Sequence, residues 1–477
     1  RELSPSSLIE RLQRLDEGLQ IEPMPAFDLE ETAPAAVFHL LGGEMRKATA
    51  EAPLSPLWQD IYGFFDENSQ WQKHLSLLKQ GIGKTAKPER LSPKTAKALY
   101  GKNIFSSVSR LERFAGCPFS FFAEYGLKAE ERRLYQLNTP DLGSLFHEVL
   151  ELFSNKLEQD SLPWTSLTKE ETTARIHAAV EDAAPRLGNR ILLDSAANQY
   201  LIRRLKRIST RAAWTLVQHL QQGDFVPAGY EVGFGAHEAL PPIVIRLQDG
   251  GSLILNGKID RVDLLDANGT RYVKIIDYKS GNKTFHFQDI YYGLQLQLLV
   301  YLDAYLKYYK KTGASFKPGG VFYFRITDPT LALDEELSAE AIEKILYEKM
   351  RMSGLLLQED VLIHGLDHSL AESRSSAIVP VGYTRKGDPT AASNLATEEQ
   401  YAAILDFVAT RTQEIGDAMK AGIITPAPYR DGQRTPCSYC SYRSLCRHSY
   451  GEAPRWRKLK KIDKADFWES ITPKQPP

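Results

Sequence analysis

The segment YVKIIDYKSG, residues 272–281, has the pattern of a buried β-strand whose last third carries charge. Asp277 and Lys279 are two residues apart, and successive side chains of a strand point to opposite faces, so the two lie on the same face. The apolar run VKII before them indicates a strand inside a core, where charged side chains are rare unless they are paired. The segment therefore predicts a strand that ends in a functional site.

The turn DANGT, residues 266–270, predicts how this strand pairs with the one before it. An Asn-Gly pair is a strong signal for a two-residue hairpin loop with both residues at positive φ. The resulting register places Asp260 directly opposite Asp277, with Cβ atoms about 4.5–5.5 Å apart, where two like charges are destabilising. A divalent cation would compensate, because Mg²⁺, Mn²⁺ and Ca²⁺ prefer oxygen ligands and Mg²⁺ usually takes one or two carboxylates from a protein.

Lys279 lies one strand period beyond Asp277, so its ammonium group can reach a metal-bound water or a phosphate oxygen. Two aspartates and a lysine around one metal fit phosphodiester hydrolysis, in which the metal lowers the pKa of water and the lysine stabilises developing charge. The alternative is a surface hairpin with a cross-strand Asp-Lys salt bridge. Asp263, on the other face of its strand, fits that alternative.

Three further polar side chains are candidates for the same site. Gln297 and Tyr301 in QLLVY are four residues apart, on one face of a helix that follows the charged strand closely. His147 lies near the start of an amphipathic helix in GSLFHEVLELF. Each has a simpler interpretation: Gln297 and Tyr301 as a solvent-facing stripe, and His147 as a core or surface histidine.

The four cysteines are distributed unevenly. Cys437, Cys440 and Cys446 lie within ten residues, whereas Cys117 lies far before them. Four cysteines of a secreted chain could form two disulfides, but C-x2-C-x5-C with one distant partner favours a metal site, which would close a very long loop. Zinc, with His448 replacing one cysteine, and free thiols are the alternatives; zinc sites usually have paired close spacings.

Composition bounds the class of protein. The 477 residues are 43% hydrophobic and 25% charged, an ordinary globular composition with room for two to four domains. The formal net charge of −1 gives no global basic field, so any DNA contact depends on local patches. No apolar run or signal peptide predicts a membrane partner, and we expect a cytoplasmic protein. The first residue is Arg1 rather than Met, which indicates a segment of a longer protein.

Periodicity predicts an α/β fold. Helical patterns run from about residue 105 to 220, and strand signals follow in GYEVGFG, GSLILNGKIDRVDLL, RYVKIIDYK and GGVFYFRI. A long helical segment, DIYYGLQLQLLVYLDAYLKYY, precedes the last of these strands, and further helices are predicted near 338–353 and 397–421. Strands with helices on both sides predict a central mixed sheet flanked by helices.

Four segments, in chain order, resemble the RecB-like branch of the PD-(D/E)xK nucleases: GSLFHEVLE, GKIDRVD, IIDYKSG and LQLQLLVYL. With Cys117 before them and CSYCSYRSLC after them, they resemble the C-terminal nuclease domain of the AddB family, subunits of bacterial helicase-nucleases. The resemblance implies a PD-(D/E)xK nuclease core in residues 96–450, closed by an iron-sulfur cluster. Residues 1–95 would be the end of a helicase-like region and residues 451–477 a basic tail.

The resemblance also assigns roles to individual residues. It implies a catalytic set and a metal-binding set that overlap: catalytic Asp260, Asp277, Lys279, Gln297 and Tyr301, and metal ligands His147, Asp260, Asp277 and the Tyr278 carbonyl. It implies a 4Fe-4S cluster on Cys117, Cys437, Cys440 and Cys446. The motif reads D-x-K where E-x-K is usual, which shortens the ligand arm by one methylene.

The implied function is that of a Mg²⁺-dependent deoxyribonuclease, with Mn²⁺ or Ca²⁺ as possible replacements for Mg²⁺. It would cleave unwound single-stranded DNA, the 5′-terminated strand, during double-strand-break processing for homologous recombination. The implied partners are single-stranded and duplex-end DNA and an AddA-type helicase-nuclease subunit in a heterodimer. The alternative is a non-catalytic DNA-binding scaffold with a nuclease fold. An inactivated copy is expected to lose Asp260, Asp277 or Lys279, and all three are present.

Overall fold

The computed structural model describes residues 15, 33–48, 53–82, 90–130, 139–186, 196–331, 337–446, 448 and 456–472. The chain divides into two compact units, one of Arg1–Lys87 with Arg447–Pro454 and one of Pro88–Cys446 with Arg455–Pro477. Much of the predicted helicase-like region and parts of the predicted basic tail lie outside the described residues. No helix in the described ranges is long and apolar enough to cross a membrane.

Three helices form the described part of the smaller unit: α1 (Pro34–Lys47), α2 (Pro56–Glu67) and α3 (Ser69–Ile82). The first two begin with proline, whose missing N–H costs no hydrogen bond in the first helical turn. Their apolar faces meet around a small core of Val37, Leu41, Phe65 and Leu75.

The larger unit is built on a six-stranded mixed sheet in the order β2-β5-β6-β7-β8-β9. A second, three-stranded sheet has the order β1-β4-β3, and β10 pairs with β11. The predicted α/β fold with a mixed sheet is confirmed. The strands are β1 (Asn103–Ser106), β2 (Val226–Phe234), β3 (Ile243–Arg246), β4 (Ser252–Leu255), β5 (Gly257–Ala267), β6 (Thr270–Lys279), β7 (Phe316–Arg325), β8 (Ser353–Leu357), β9 (Leu395–Ala396), β10 (Tyr429–Arg430) and β11 (Arg457–Lys458).

Helices cover both faces of the six-stranded sheet. The helices of the larger unit are α4 (Pro93–Tyr100), α5 (Val108–Gly116), α6 (Pro118–Phe121), α7 (Thr139–Gln159), α8 (Lys169–Ala183), α9 (Ala196–Gln221), α10 (Phe287–Tyr291), α11 (Gln297–Lys311), α12 (Ala339–Lys349), α13 (Asp360–Leu366), α14 (Glu398–Lys420), α15 (Arg443–Cys446) and α16 (Lys464–Ile471). Strands β6 and β7 are parallel, so the chain must cross over between them, and α10 and α11 form that crossover.

The hairpin of β5 and β6 has the predicted turn and register. Asn268 has φ 51° and Gly269 φ 75°, so both turn residues are left-handed. The pairs run from Ala267 with Thr270 to Arg261 with Ile276, and the next residues in this register are the two aspartates. The dipeptide Asn-Gly therefore positions side chains about nine residues away from it.

The long helix predicted before β7 is interrupted, which corrects the sequence interpretation. The chain leaves α10 through Gly293, whose φ of 74° is unfavourable for residues with a Cβ. The Leu294 N–H donates to the Asp289 carbonyl at 2.7 Å, which closes a turn before α11 begins. The interruption makes Gln297 the first residue of a new helix.

The single strand predicted across residues 251–265 is also two strands, because Asn256 separates β4 from β5. The Asn256 N–H donates to the Ser106 carbonyl at 3.1 Å, so the chain changes sheets at this point. Gly257 follows, where an added Cβ would lie 2.1 Å from the Tyr301 hydroxyl oxygen. The glycine is therefore needed to let the Tyr301 helix approach the start of β5.

The sheet face opposite Asp277 buries an ionic cluster. Asp263 forms the predicted cross-strand salt bridge with Lys274, at 2.9 Å, and accepts from Arg261 Nε at 2.6 Å. The salt bridge lies in the interior rather than on a surface hairpin, with Asp263 fully buried. Burial alone would raise the pKa of Asp263, but the charges of Arg261 and Lys274 hold it below its ordinary value.

His219 of α9 lies on the same face and gives the fold a sensitivity to acid. Its ring is buried between Phe324 and Tyr347, with centroids 6.0 and 5.4 Å away. Burial, and then the positive charges of Lys274 and Arg261, lower its pKa to about 3. Neither ring nitrogen has a hydrogen-bond partner among the described residues. The folded chain therefore keeps this histidine neutral at pH values where the unfolded chain protonates it.

We expect His219→Phe to lose less stability than the wild type when the pH is lowered. Because the histidine pKa is about 6.5 when unfolded, its contribution is complete above that pH and is lost as the pH falls from 6.5 towards 3. Between pH 7 and 5 the free energy of unfolding should fall by about 2 kcal/mol more in the wild type than in the variant, measured by urea unfolding. The exposed His237→Phe is the control and should behave like the wild type. Equal pH dependence in His219→Phe and wild type would contradict the assignment.

Candidate metal and active site

Three carboxylates lie in a row across three adjacent strands. The hairpin register brings Asp260 of β5 opposite Asp277 of β6. The pairs on either side of Glu231 in β2 place this residue opposite Asp260 from the other direction. Directly opposed side chains share a face, so the three acids converge on one side of the sheet.

Sequence reasoning missed Glu231, although the strand GYEVGFG that contains it was predicted. Its alignment with Asp260 depends on a register shift between Pro227 and Gly229. Without this irregularity Glu231 would move by one residue along β5 and lose its position opposite Asp260. A β-bulge of this kind re-aims side chains next to functional sites and has no simple sequence signature.

Glu231 also has an unusual backbone. Its φ of 47° is in the left-handed region, which costs a residue with a Cβ of order 1–3 kcal/mol and is often found at functional sites. Burial and the nearby Asp260 raise the pKa of Glu231 to about 7. Both features indicate that the fold holds this carboxylate against Asp260 at a cost in stability.

His147 of α7 completes a group of potential metal ligands. Its Nδ1 lies 3.4 Å from Asp260 Oδ2. Burial would lower the pKa of His147, but the Asp260 carboxylate raises it above its ordinary value. One ligand atom from each of His147, Glu231 and Asp260 lies within 4.8 Å of the others, and no other such group occurs in the described part of the chain. This spacing allows the three side chains to bind one divalent cation.

Asp277 is adjacent to this group but has partners of its own. Its Oδ1 accepts a hydrogen bond from Gln297 Nε2 at 2.8 Å, and its Oδ2 forms an ion pair with the Lys279 ammonium group. Burial, and then the charge of Asp260, raise the pKa of Asp277 to about 6. Asp260, Asp277 and Lys279 thus lie together on one face, as the alternation of the strand predicted.

Tyr278 contributes to the site through its backbone. Its N–H donates to Asp260 Oδ2 at 2.5 Å, which orients the carboxylate. Its ring packs edge-to-face on Phe324 and on the His147 ring, with centroids 6.2 and 6.0 Å away. The predicted role of the Tyr278 carbonyl as a metal ligand stays a prediction.

Helix α11 carries Gln297 and Tyr301 to the same face of the sheet. Gln297, at the first residue of the helix, reaches Asp277. Tyr301 is only 4% exposed and packs on Phe234, with ring centroids 5.5 Å apart. The alternative interpretation of these residues as a solvent-facing stripe is therefore wrong.

Glu112 was also missed, and it holds the start of α11. Its Oε1 accepts from the N–H groups of Leu296 and Gln297 at 2.8 and 3.0 Å, and its Oε2 lies 3.4 Å from Lys283 Nζ. A carboxylate at a helix N-terminus satisfies free N–H groups and interacts favourably with the helix dipole. The contact joins residues 184 and 185 positions apart, so no local pattern could reveal it.

The two cysteine-bearing segments are in contact. The Tyr442 hydroxyl donates to the Ala129 carbonyl at 3.0 Å, and Cys440 Sγ lies 4.0 Å from Ser120 Oγ. Burial raises the pKa of Cys117, and Cys437 raises it further to a smaller extent. No three of the four thiols, all of which are described, lie within 4.8 Å of one another, and none forms a disulfide.

An open cavity of about 690 Å³ leads to the ligand group. It is bordered by residues of α7, by Glu231 of β2 and by Ser280, the residue after Lys279. Gly143 lies close to Ser280, since an added Cβ would be 3.0 Å from the Ser280 hydroxyl oxygen. The cavity gives solvent and a substrate access to His147 and to the end of β6.

Two sequence families match the chain. The pattern of the PD-(D/E)XK nuclease superfamily matches residues 106–447, and that of the ATP-dependent helicase/deoxyribonuclease AddB fifth domain matches residues 32–81.

Among similar proteins are the B subunits of the ATP-dependent helicase/deoxyribonucleases of Alkaliphilus oremlandii and Alkaliphilus metalliredigens. They are 38% and 39% identical, each over 98% of this chain and 41% of the relative. The corresponding protein of Anoxybacillus flavithermus is 36% identical over 86% of this chain and 36% of its own length. The chain thus spans about two fifths of the length of the curated relatives it matches.

Proposed function

Because the chain belongs to the PD-(D/E)XK nuclease superfamily, we propose that it is a metal-dependent deoxyribonuclease whose active site lies at the end of β6. The observation that carries the proposal is the convergence of Asp260, Asp277 and Lys279 on one face of the sheet, beside the cavity that His147 borders. All three charged residues are present and in contact with partners that orient them.

The donor set fits a divalent cation. His147, Glu231 and Asp260 would hold it, with Asp277 beside them, because carboxylate oxygens are the ligands that Mg²⁺, Mn²⁺ and Ca²⁺ prefer. Opposed carboxylates on adjacent strands repel one another, and a cation removes that repulsion. When bound, the metal would lower the pKa of a water molecule and polarise the phosphodiester.

The chain's own residues would then orient the reacting groups. The Tyr278 N–H and the Gln297 amide fix the carboxylates of Asp260 and Asp277. Lys279 is paired with Asp277, so its ammonium group is positioned to stabilise negative charge that develops on a phosphate oxygen. Such supporting hydrogen bonds usually matter almost as much as the ligands themselves.

We further propose that Cys117, Cys437, Cys440 and Cys446 hold a 4Fe-4S cluster. The contact between their two segments supports a shared site. Zinc sites usually have paired close spacings, and the C-x5-C spacing of Cys440 and Cys446 is less typical of them. This spacing favours the cluster, whose four irons each take one thiolate.

The proposed biological role follows the names of the relatives. Each is named as the B subunit of an ATP-dependent helicase/deoxyribonuclease. We propose that this chain is the corresponding part of such a subunit, that an AddA-type helicase-nuclease is its partner, and that it cleaves the unwound 5′-terminated strand during double-strand-break processing. Residues 96–450 would be the nuclease domain, 1–95 the end of the helicase-like region and 451–477 a basic tail.

A cleavage assay with end-labelled single-stranded DNA tests the proposal. We expect degradation that needs Mg²⁺ or Mn²⁺ and stops with EDTA, measured on otherwise identical oligonucleotides labelled at the 5′ or the 3′ end. Strand polarity is read in the full-length protein with its helicase partner, on a duplex labelled on one strand at a time. DNA binding without cleavage in any of these metals would favour the non-catalytic scaffold instead.

A further inference from the structure

An exposed stripe of arginines and one tyrosine runs along α9. Arg203 and Arg204 lie three and four residues after Tyr200, and four and three residues before Arg207, so the four residues share one face of the helix. All four are exposed, and Tyr200 is 59% exposed although it is large and partly apolar. We call these four residues the α9 track.

The α9 track begins next to the proposed active site. Tyr200, Arg204 and Arg207 line a cavity of about 410 Å³ together with Ser280. Ser280 follows Lys279 in the chain and also borders the cavity that leads to His147 and Glu231. The two cavities thus share Ser280, the residue that follows the proposed catalytic lysine.

The track continues away from the site into a second basic cavity, of about 400 Å³. Arg203 and Arg207 line it, with Lys206, Arg211 and Trp214. A strand leaving the first cavity along α9 would therefore stay against positive charge. The helix rise of 1.5 Å per residue makes the path from Tyr200 to Arg211 about 16 Å long.

The protein pairs three of these five cations with carboxylates. Lys206 pairs with Glu181 at 2.6 Å, Arg207 with Asp328 at 2.7 Å, and Arg211 with Asp328 and Glu343 at 3.3 and 3.7 Å. Arg203 and Arg204 form no ion pair with any residue of the described ranges. The chain as a whole has a net charge of −1, so the track is a local basic patch rather than part of a general positive field.

We propose that the α9 track binds the single-stranded DNA that reaches the nuclease site. The arginines would neutralise phosphates, and Tyr200 would stack on a base. This combination of basic groove and aromatic platform is how proteins bind single strands without sequence preference. A duplex does not expose base faces, so the exposed tyrosine favours a single strand. The inference rests on the proposed nuclease function and adds the path of its substrate.

The test is binding of fluorescent oligo(dT) of 20 nucleotides by the full chain, with EDTA present so that no cleavage occurs. Each phosphate that the protein no longer neutralises reduces the slope of log affinity against log salt by about 0.7 for single strands. Arg203→Ala/Arg204→Ala should therefore reduce the slope by about 1.4. Relative to the wild type, the affinity of this double variant should then be about 25-fold lower at 0.1 M salt than it is at 1 M salt. Arg203→Lys/Arg204→Lys keeps both charges and should keep the slope.

Tyr200 tests the stacking separately. Tyr200→Ala should weaken oligo(dT) binding about 5- to 100-fold, whereas Tyr200→Phe should bind like the wild type. Neither change should alter binding of a 20-base-pair duplex. Equal losses for duplex and single strand in Tyr200→Ala would overturn the stacking assignment.

A matched control separates the track from general charge. Lys310→Ala/Lys311→Ala removes two exposed charges at the far end of α11, about 20 Å from Gln297, and should leave binding and cleavage unchanged. In a parallel Mg²⁺ assay, the track double variant should show a raised KM for DNA. If the wild type cleaves DNA but the double variant keeps its affinity and salt slope, the proposed DNA binding by the α9 track is wrong and the nuclease proposal stands. If the wild type binds DNA through the α9 track but never cleaves it, the nuclease proposal is wrong and the proposed DNA binding stands.

Discussion

Replacing Asp277 or Lys279 with alanine is expected to abolish DNA cleavage while leaving the fold intact. Asp277 contacts Lys279 and Gln297 and lies beside the proposed metal ligands, so its loss removes both a charge and the anchor of the lysine. Losing a single group that stabilises transition-state charge commonly costs a hundredfold to a thousandfold, and a metal-site carboxylate more. We expect a loss of at least about a thousandfold in the cleavage rate of single-stranded DNA in Mg²⁺.

Replacing Asp277 with asparagine gives a second readout, of the opposite sign. Asp277 is buried against another carboxylate, so without a divalent metal Asp277→Asn should unfold at the same temperature as the wild type or higher. Asp266→Ala is the matched control, since it removes an aspartate of the same hairpin from an exposed ion pair with Arg271. It should cleave DNA at the wild-type rate. Full nuclease activity in Asp277→Ala would refute the proposed site.

The placement of Asp260, Asp277 and Lys279 on one face, which the sequence predicted, follows from local rules. Asn268-Gly269 sets the turn, the turn sets the register, and strand alternation then places Asp260, Asp277 and Lys279 on one face. Each step uses short-range geometry with few alternatives. The centre of the mixed sheet was predictable for the same reason, because β2, β5, β6 and β7 carry their own sequence patterns, whereas β8 and β9 were not predicted.

The residues that were missed depend on irregular or distant contacts. Glu231 faces Asp260 only because β2 shifts its register before it. Glu112 caps α11 from another part of the chain, and the break before α11 depends on a left-handed glycine inside an apolar, helix-like pattern. The position of Glu231, the cap by Glu112 and the break before α11 all depend on tertiary structure. A local sequence pattern carries no information about such contacts.

Glu112 also connects the proposed active site to the cysteine-bearing end of the larger unit. It lies on α5, which ends at Gly116, and Cys117 follows immediately. Its carboxylate holds the N-terminus of α11, whose first side chain orients Asp277. Helix α5 is therefore held at Glu112 by the start of α11 and at its other end by the Cys117 segment. Any bond that fixes Cys117 thus also restricts the position of Gln297 through Glu112.

Loss of the proposed cluster is consequently expected to affect folding first and cleavage as a result. Cys117→Ala, or alanine at Cys437, Cys440 or Cys446, should bleach the brown colour of the protein and destabilise the nuclease domain. Closing the loop of about 320 residues between Cys117 and Cys437 lowers the conformational entropy of the unfolded chain, which corresponds to about 6 kcal/mol of stability on a crosslink-entropy model taken from disulfides. Thermal unfolding of anaerobically purified protein measures this loss.

Iron and sulfide analysis decides whether the crosslink is the proposed cluster. The wild type should contain about four irons and four sulfides per chain, as a 4Fe-4S cluster requires, and each cysteine variant far fewer. Ser120→Ala is the control, because Ser120 lies beside Cys440 and accepts a hydrogen bond from Arg113, yet is not a proposed ligand. It should keep its iron, its colour and its cleavage activity. One zinc per chain, with no visible absorbance, would show that the cysteines bind zinc and not an iron-sulfur cluster. The expected loss of stability in the cysteine variants would still apply, because a zinc site closes the same loop.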